Sequence, residues 1–317
     1  MKRPSADLIL LAITTVALIV LIASYNLSGS IKALENINPY YLLIAFGFWI
    51  LYTMAKFLPW THVLKKVGIR APVFRSILLV YAFFGLGFLP VVGPIVPLRY
   101  LDHFRKNARF SSIGIIFSLT TVAGLAAILM AIFSAIFVSQ YVAYFIALFA
   151  VAYAAFSFLG ADLTHRKLDS LLTKVLRPKK FSVSKKIMSY LNSFRKERKL
   201  MSQREILTGI AMFLPSLLAE TAMLFFILLS FNQSISFIAV MFIFTVSITL
   251  GNLSFLPGGV GPTEASMIAL LLLFGSPGAI AISATIIFRI FNVLFVVLAG
   301  YGSLAVVKTI KTKRRLV

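Results

Sequence analysis

The sequence predicts an all-α polytopic membrane protein, with about six full spans and two re-entrant hairpins arranged as an inverted repeat. The prediction rests on composition, on the placement of charge, and on two Pro/Gly-rich breaks. Of the 317 residues, 60% are hydrophobic and the mean hydropathy is +0.97, which is typical of helical membrane proteins. Basic residues flank the apolar runs, and the two breaks interrupt runs that are too short to cross a bilayer.

The charge balance limits the classes of partner. Lys and Arg number 31 against 9 Asp and Glu, for a net charge of +22. These basic residues form no separate basic domain, so we expect an anionic lipid surface as partner and no nucleic acid. The chain has no Cys, which excludes disulfides and thiolate chemistry. Its histidines, His62, His103 and His165, lack metal-ligand spacing, so we expect no metal, no cofactor and no enzymatic activity.

The first two apolar runs predict two full spans. Leu8–Tyr25 is long for a signal peptide and no clear cleavage site follows, so we interpret it as an uncleaved span. Lys2 places the N-terminus in the cytoplasm by the positive-inside rule. Tyr40–Leu58 then returns inward. The basic segment Lys56–Arg75 is predicted to be cytoplasmic by the same rule.

The next segment predicts the first re-entrant hairpin. Ser76–Leu89 has about 14 residues, where a full span needs roughly 20. It runs into the break Pro90–Pro97, after which Arg99 and further basic residues follow. Basic flanks on both sides indicate a segment that enters and leaves on the cytoplasmic side. The alternative is a short full span with snorkelling ends.

Three regions follow from this reading. The first half covers residues 1–160 and ends in two predicted spans, Ser112–Phe137 and Tyr141–Gly160. Residues 161–205 carry 13 Lys and Arg against 4 acids and are predicted to be a cytoplasmic connector. An amphipathic helix that recruits anionic lipid is the alternative for this connector. The second half covers residues 206–317.

The second half predicts a hairpin of opposite orientation. Its predicted elements are an outward span Ile206–Ser230, a descending run Ile235–Phe255, a short run Glu264–Phe274 and a last span Ala279–Val307. The chain then ends in a basic, predicted cytoplasmic tail. Counting back from that tail, the Pro/Gly break between the second and third runs must enter from outside and leave to outside.

The two breaks also resemble each other in sequence. Leu86–Pro94 reads LGFLPVVGP, and Leu250-Gly251 followed by Phe255–Pro262 reads LG and FLPGGVGP. Similar breaks of opposite orientation are the signature of an inverted-topology repeat and indicate a transport site.

Ionisable residues within the apolar runs are the candidate site residues. Glu220, Glu264 and Arg289 are predicted to face the bundle interior and to pair, because an isolated charge at the bilayer centre costs at least about 2.5–3.5 kcal/mol. Arg289 lies near 16 Å from the outer end of its span, at about 1.5 Å per residue, which suits Glu264 as partner. Arg99 is the corresponding basic group of the first half.

A guanidinium matches phosphate geometry, so Arg289 and Arg99 are predicted to hold an anionic headgroup. Glu264 and Glu220 are included in the predicted substrate site. The break itself supplies the remaining predicted site residues: Pro257, Gly258, Gly259 and Gly261. The alternative is that Glu264 and Arg289 form only an interhelical staple.

The motif of the second half, Asn252 to Leu273 with the sequence PGGVGPTEA, resembles that of the lysylphosphatidylglycerol synthase transmembrane-region (flippase-like) family. Arg289, in Phe-Arg-Ile-Phe, resembles the embedded arginine of that family. The resemblance implies flipping or transport of lipids by two inverted halves. In the first half, Ile95–Pro97 and Ser118–Gly124 lack the charged residues that the family usually carries there. We do not expect the cytosolic aminoacyl-transfer domain of the bifunctional relatives in this chain.

The sequence therefore predicts a multi-pass cell-membrane protein with both termini cytoplasmic. We expect a lipid flippase or translocase that moves an anionic phospholipid or a polyprenyl-phosphate-linked lipid between leaflets. The alternatives are an ion-coupled small-solute secondary transporter and a non-transporting membrane partner of a lipid or glycan synthesis enzyme. A homo-oligomer is compatible with each of these.

Overall fold

The computed structural model describes residues 37–66, 72–87, 108–138, 203–254 and 257–313, together with Glu35, Pro97 and Tyr100. Within these ranges every regular element is a helix. Several predicted features lie outside the described residues: the first span Leu8–Tyr25, the span Tyr141–Gly160, Arg99, most of the first break and residues 161–202 of the connector.

The described helices are α1 (Pro39–Ala55), α2 (Phe57–Lys66), α3 (Val73–Leu86), α4 (Ala108–Phe137), α5 (Gln203–Ser230), α6 (Phe237–Leu253), a 3₁₀ turn (Pro257–Gly259), α7 (Pro262–Leu273), α8 (Gly278–Arg289), a π-helical segment (Ile290–Phe295) and α9 (Val296–Lys313). Asn38 and Ser236 cap α1 and α6, with side-chain oxygens that accept backbone N–H groups of the first turn. Pro sits in the first turn of α1 and α7, where no helical N–H is lost.

Three stretches of the described chain are long and apolar enough to cross a membrane: Pro39–Lys65, Leu207–Ser230 and Gly278–Thr309. Four shorter apolar helices, among them α3, α6 and α7, accompany them. Large apolar side chains remain exposed on the outer faces, including Leu43, Met54 and Leu207. In a lipid-facing helix such exposure is expected, because hydrocarbon is the solvent there.

Helices α1 and α5 form an antiparallel pair. At one end, the N–H of Asn38 donates to the carbonyl of Ser230 at 2.9 Å. Near the middle, the hydroxyl of Ser216 donates to the carbonyl of Tyr52 at 3.3 Å. The rings of Phe48 and Phe226 stack between these points, with centroids 5.3 Å apart.

Helix α6 is buried over most of its length and forms a hairpin with α7. The ring of Phe242, near the start of α6, lies 6.2 Å from that of Phe274, just after α7. Phe242 is the sixth residue of α6, so the end of α7 lies beside the first third of α6 and the two helices are antiparallel. Because α6 is packed by protein on nearly all sides, its uniformly apolar sequence is satisfied without a lipid-facing stripe. Helix α6 also packs along α4.

A second extensive helix–helix contact joins α3 to α9. Gly85 and Gly300 meet there: a Cβ built on Gly300 would lie 2.8 Å from the Cα of Gly85 and 2.9 Å from the carbonyl oxygen of Tyr81. Small residues let helix backbones approach closely, which is a common way to pack helices in membranes.

Two boundaries differ from the sequence predictions. The last run was predicted to be one regular span, whereas the structure inserts a π-helical segment directly after Arg289. The second span was predicted to end at Leu58, with Lys56 in a cytoplasmic segment. Helix α2 continues to Lys66, Trp60 and Leu64 are buried, and Lys56 lies within the candidate span Pro39–Lys65. The cytoplasmic location of Lys56 stays a prediction.

The Gly85–Gly300 contact makes a stability prediction. Gly300→Ala places a methyl group against backbone atoms, which cannot move aside, so it should lower the free energy of unfolding by about 1–3 kcal/mol. Gly302→Ala is the matched control, because nothing lies within 4 Å of its added Cβ. Unfolding in mixed detergent micelles, followed by circular dichroism, measures both. Equal stability of the two variants would contradict the close contact.

Candidate functional site

The tip of the α6–α7 hairpin depends on glycines. Gly258, Gly259 and Gly261 have φ values of 61°, 64° and 92°. Side chains other than glycine rarely adopt this left-handed region. The break predicted from the Pro/Gly content is therefore an irregular turn that folds α7 back against α6.

The tip is also closely packed. A Cβ on Gly259 would lie 2.7 Å from the hydroxyl of Thr263 and 3.0 Å from the Cα of Gly251. A Cβ on Gly251 would lie 1.9 Å from the same hydroxyl. These two glycines let the end of α6 and the start of α7 touch, which fixes the direction in which α7 leaves the turn.

Glu264 lies in the first turn of α7 and is 2% exposed. Its Oε2 accepts the N–H of Gly261 at 2.6 Å, so the carboxylate caps the helix that it belongs to. Free N–H groups and the helix dipole make this helix end favourable for negative charge.

Arg289 is the last residue of α8 and is 3% exposed. Its Nε–H donates to Oε1 of Glu264 in a short ion pair, and an Nη2–H donates to the carbonyl of Gly258 at 2.9 Å. The pairing that depth along the span predicted for Glu264 and Arg289 is thus present. Through it, the last span holds both the carboxylate and the backbone of the hairpin tip.

Only some of the N–H donors of the Arg289 guanidinium are used within the described structure. An arginine has five N–H donors, and two of those of Arg289 are used by Glu264 and Gly258. The other three have no acceptor among the described residues. A guanidinium with donors left over has the chemistry to bind a further anionic oxygen.

A second polar cluster lies beside this pair, between α1, α5 and the π segment. The hydroxyl of Tyr52 donates to the side-chain oxygen of Asn292 at 3.1 Å, which leaves the amide nitrogen of Asn292 to hydrogen-bond Glu220. Glu220 is 6% exposed and lies within electrostatic range of Lys56 and Arg289. The ammonium of Lys56 sits 4.2 Å above the ring centre of Tyr52.

The π segment positions both clusters. It begins at Ile290, immediately after Arg289, and contains Asn292. A π-helical turn inserts one extra residue into a helix and is frequent at functional sites. Here it lets one span present Arg289 to the hairpin and Asn292 to Tyr52.

The structure brings most of the predicted site residues together. Arg289, Glu264, Gly258 and Gly261 are joined by hydrogen bonds, and Gly259 is packed beside them at the tip. Pro257 opens the same turn, and Glu220 faces Arg289 from α5. Arg99 lies outside the described residues.

Sequence reasoning missed Lys56, Tyr52 and Asn292. The apolar run continues from Phe57 to Leu64, and this is the signal that could have placed Lys56 inside the span.

The described residues hold no group of three or more His, Asp or Glu side chains that could bind a metal ion. A cleft of about 420 Å³ lies at the open end of the hairpin, lined by Gln233, Ser236, Phe274 and neighbouring residues. It is separated from Glu264 by the length of α7, about 15 Å at 1.5 Å per residue. The charged site is therefore distinct from this cleft.

Comparison with known proteins gives one family and several relatives. The model of the family described as the lysylphosphatidylglycerol synthase TM region matches residues 8–300. A UPF0104 membrane protein of Methanocaldococcus jannaschii is 23% identical over 321 residues, covering 95% of this chain and 94% of the relative.

Two further UPF0104 membrane proteins match over shorter stretches. That of Methanothermobacter thermautotrophicus is 39% identical over 85 residues, which are 27% of this chain and 25% of the relative. That of Pyrococcus horikoshii is 29% identical over 130 residues, 39% of each chain.

Removing one charge of the Arg289–Glu264 pair should be more costly than removing both. Arg289→Met leaves a buried carboxylate without its partner and should cost about 3–5 kcal/mol of unfolding free energy. In the double variant Arg289→Met with Glu264→Gln, no buried charge is left unpaired, so most of the lost unfolding free energy should be recovered. A double-mutant cycle of unfolding in mixed micelles measures the difference, and additive costs would show that the pair is not coupled.

The glycine turn allows a matched comparison at positive φ. Gly259→Ala adds both backbone strain and a clash with Thr263 and Gly251, whereas Gly275→Ala, with φ of 87° and open space around its Cβ, adds strain alone. We expect Gly259→Ala to destabilise by about 1–3 kcal/mol more than Gly275→Ala. Equal losses in thermal unfolding would rule out tight packing at the tip.

Proposed function

Because the chain belongs to the family of the lysylphosphatidylglycerol synthase TM region, we propose that it is a lipid translocase, which moves an anionic phospholipid or a polyprenyl-phosphate-linked lipid between leaflets. One observation carries this proposal. Arg289 is buried in an apolar bundle, held by Glu264 and by the backbone of a hairpin tip, and keeps three N–H donors without an acceptor among the described residues. A guanidinium in this state is suited to a phosphate oxygen.

The proposal includes an inverted repeat of two halves. Helix α1 begins at residue 39 and α5 at residue 203; α3 begins at 73 and α6 at 237. Both starting points are thus separated by 164 residues, which is also the separation of Tyr52 and Ser216, the hydrogen-bonded pair at the middle of the α1–α5 contact. Equivalent residues of two halves touch only on the axis that relates them, which supports a pseudo-twofold axis at this point.

The packing of the remaining helices supports the same relation. Exchanging the halves turns α3 into α6. It also turns the helix that follows the second hairpin, α8 to α9, into the helix that follows the first hairpin, α4. The contact of α3 with α9 is then the counterpart of the contact of α6 with α4, and both are present. An antiparallel α1–α5 pair on the axis is what opposite membrane orientations of the two halves require.

Re-entrance of the second hairpin is part of the proposal. Helices α6 and α7 have 17 and 12 residues, both short for a full span, and the contact of the Phe242 and Phe274 rings brings the end of α7 back beside the first third of α6, which supports re-entrance. Their uncharged ends, together with the basic C-terminal tail beyond α9, favour entry from the outside by the positive-inside rule.

The proposed mechanism is an exchange of anions at Arg289. A headgroup phosphate enters the site and takes the place of Glu264, while the apolar tail remains in the bilayer. The displaced carboxylate keeps its hydrogen bond from Gly261 at the start of α7. Rocking of the two halves about the α1–α5 contact then exposes the headgroup to the other leaflet.

Movement of a fluorescent phosphatidylglycerol in phosphatidylcholine vesicles tests the proposal, with quenching by dithionite reporting the outer leaflet. Arg289→Ala should slow movement about tenfold or more, because a phosphate loses its partner in a low-dielectric site. Arg289→Lys keeps the charge but cannot bind phosphate in a bidentate manner, so its rate of lipid movement should lie between those of the wild type and Arg289→Ala. Native mass spectrometry of the same proteins should show a phosphate-bearing lipid that is lost in Arg289→Ala.

Arg204→Ala is the matched control, because Arg204 is an exposed arginine in the first turn of α5. If Arg289→Ala and Glu264→Gln both keep the wild-type rate, the site assignment is wrong. If wild-type protein moves no lipid but takes up a small solute, the secondary-transporter alternative is favoured.

A further inference from the structure

Lys56 and Glu220 are equivalent residues of the two proposed halves and carry opposite charges. They are 164 residues apart, the same separation as Tyr52 and Ser216. Lys56 lies four residues after Tyr52, and Glu220 lies four residues after Ser216. Each charged residue is therefore about one helical turn beyond the Tyr52–Ser216 contact on the axis.

Both side chains lean back towards the axis. The Cα–Cβ bonds of a helix tilt towards its N-terminus, so a long side chain lies over the preceding turn. The ammonium of Lys56 follows this rule, since it sits over the ring of Tyr52 in the turn before. Because α1 and α5 are antiparallel, the same rule directs the side chain of Glu220 towards the axis from the opposite side, and Glu220 lies within electrostatic range of Lys56.

The ammonium of Lys56 has charge compensation without a direct acceptor. It lies 4.2 Å from the ring centre of Tyr52 and 4.7 Å from that of Phe84, in cation–π contact with both. Glu220 acts on it at longer range and is itself hydrogen-bonded to Asn292. In the described part of the chain, the three N–H donors of the ammonium have no acceptor.

Lys56 lies close to the point at which a charged headgroup on its path between leaflets has the highest free energy. The axis of an inverted repeat lies in the plane of the membrane, so residues on it are at the bilayer midplane. An uncompensated charge costs most there. A fixed cation at that depth lowers the barrier for an anion in passage, and Glu220 compensates the cation when no anion is present.

We propose that Lys56 is the anion-binding residue of the first half, and that the negative headgroup passes from Arg289 to Lys56 as it crosses the midplane. The inference rests on the proposed lipid translocation and adds to it a second binding residue, in the half whose following span lacks charge. Each cation has a compensating carboxylate: Glu264 forms an ion pair with Arg289, and Glu220 acts on Lys56 at longer range. The passing anion replaces first Glu264 and then Glu220 as the counter-charge of the neighbouring cation.

Lys56→Gln tests this inference in the vesicle assay, with fluorescent phosphatidylglycerol and phosphatidylcholine as probes. Movement of the anionic probe should fall about tenfold, because the cation at midplane is lost. Movement of phosphatidylcholine should change much less, since its headgroup carries its own cation. Lys56→Arg should restore the anionic rate, which a purely structural role of the lysine stem would not predict. Rates of Lys56→Gln equal to wild type for both probes overturn the inference.

The control is Lys65→Gln, the same substitution at an exposed lysine two and a half turns further along the same continuous apolar stretch. Inorganic phosphate binding in detergent, measured by equilibrium dialysis, forms the second arm. Weaker phosphate binding by Lys56→Gln with unchanged lipid movement assigns Lys56 to a free anion and overturns its role in headgroup passage. If the wild-type protein moves no lipid, the proposed function is wrong. If Lys56→Gln in addition binds phosphate with wild-type affinity, the anion site at Lys56 is wrong as well.

Discussion

A charge placed in hydrocarbon needs its counter-charge beside it, and the second half of this protein is arranged around that constraint. Arg289 and Glu264 are both nearly fully buried, and their ion pair joins the last span to the hairpin tip. The π segment that follows the arginine and the glycine turn that precedes the glutamate both serve to bring these two side chains together. Either feature alone would leave a charge without its partner, at a cost of several kcal/mol.

The same pair also solves a backbone problem. An irregular turn within a bilayer exposes peptide groups that water cannot reach, and each would be costly if left unpaired. The carbonyl of Gly258 accepts from the arginine, and the N–H of Gly261 donates to the glutamate. Some buried hydroxyls bond within their own helix, as Thr245 and Thr249 do with carbonyls four residues earlier.

Much of this could be predicted from residue types and spacing. Prolines and glycines located the break, apolar runs located the described helices to within a few residues, and the depth of Arg289 identified Glu264 as its partner. The π segment could not be predicted, because no residue of Ile290–Phe295 is a helix breaker and the insertion depends on tertiary contacts. The ring contacts of Lys56 could not be predicted either, because Tyr52 and Phe84 lie on helices that the sequence does not place side by side.

The opposite charges of Lys56 and Glu220 have a consequence for how such a protein is assembled. On the repeat proposed above, two separate copies of the first half, packed in opposite orientations, would bring two lysines together at the axis. Two copies of the second half would bring two glutamates together, and like charges in an apolar contact repel. A self-complementary dimer of either half is disfavoured for this reason. On the proposed repeat, joining two unlike halves in one polypeptide gives the one pairing of Lys56 with Glu220 that is electrically neutral at the axis.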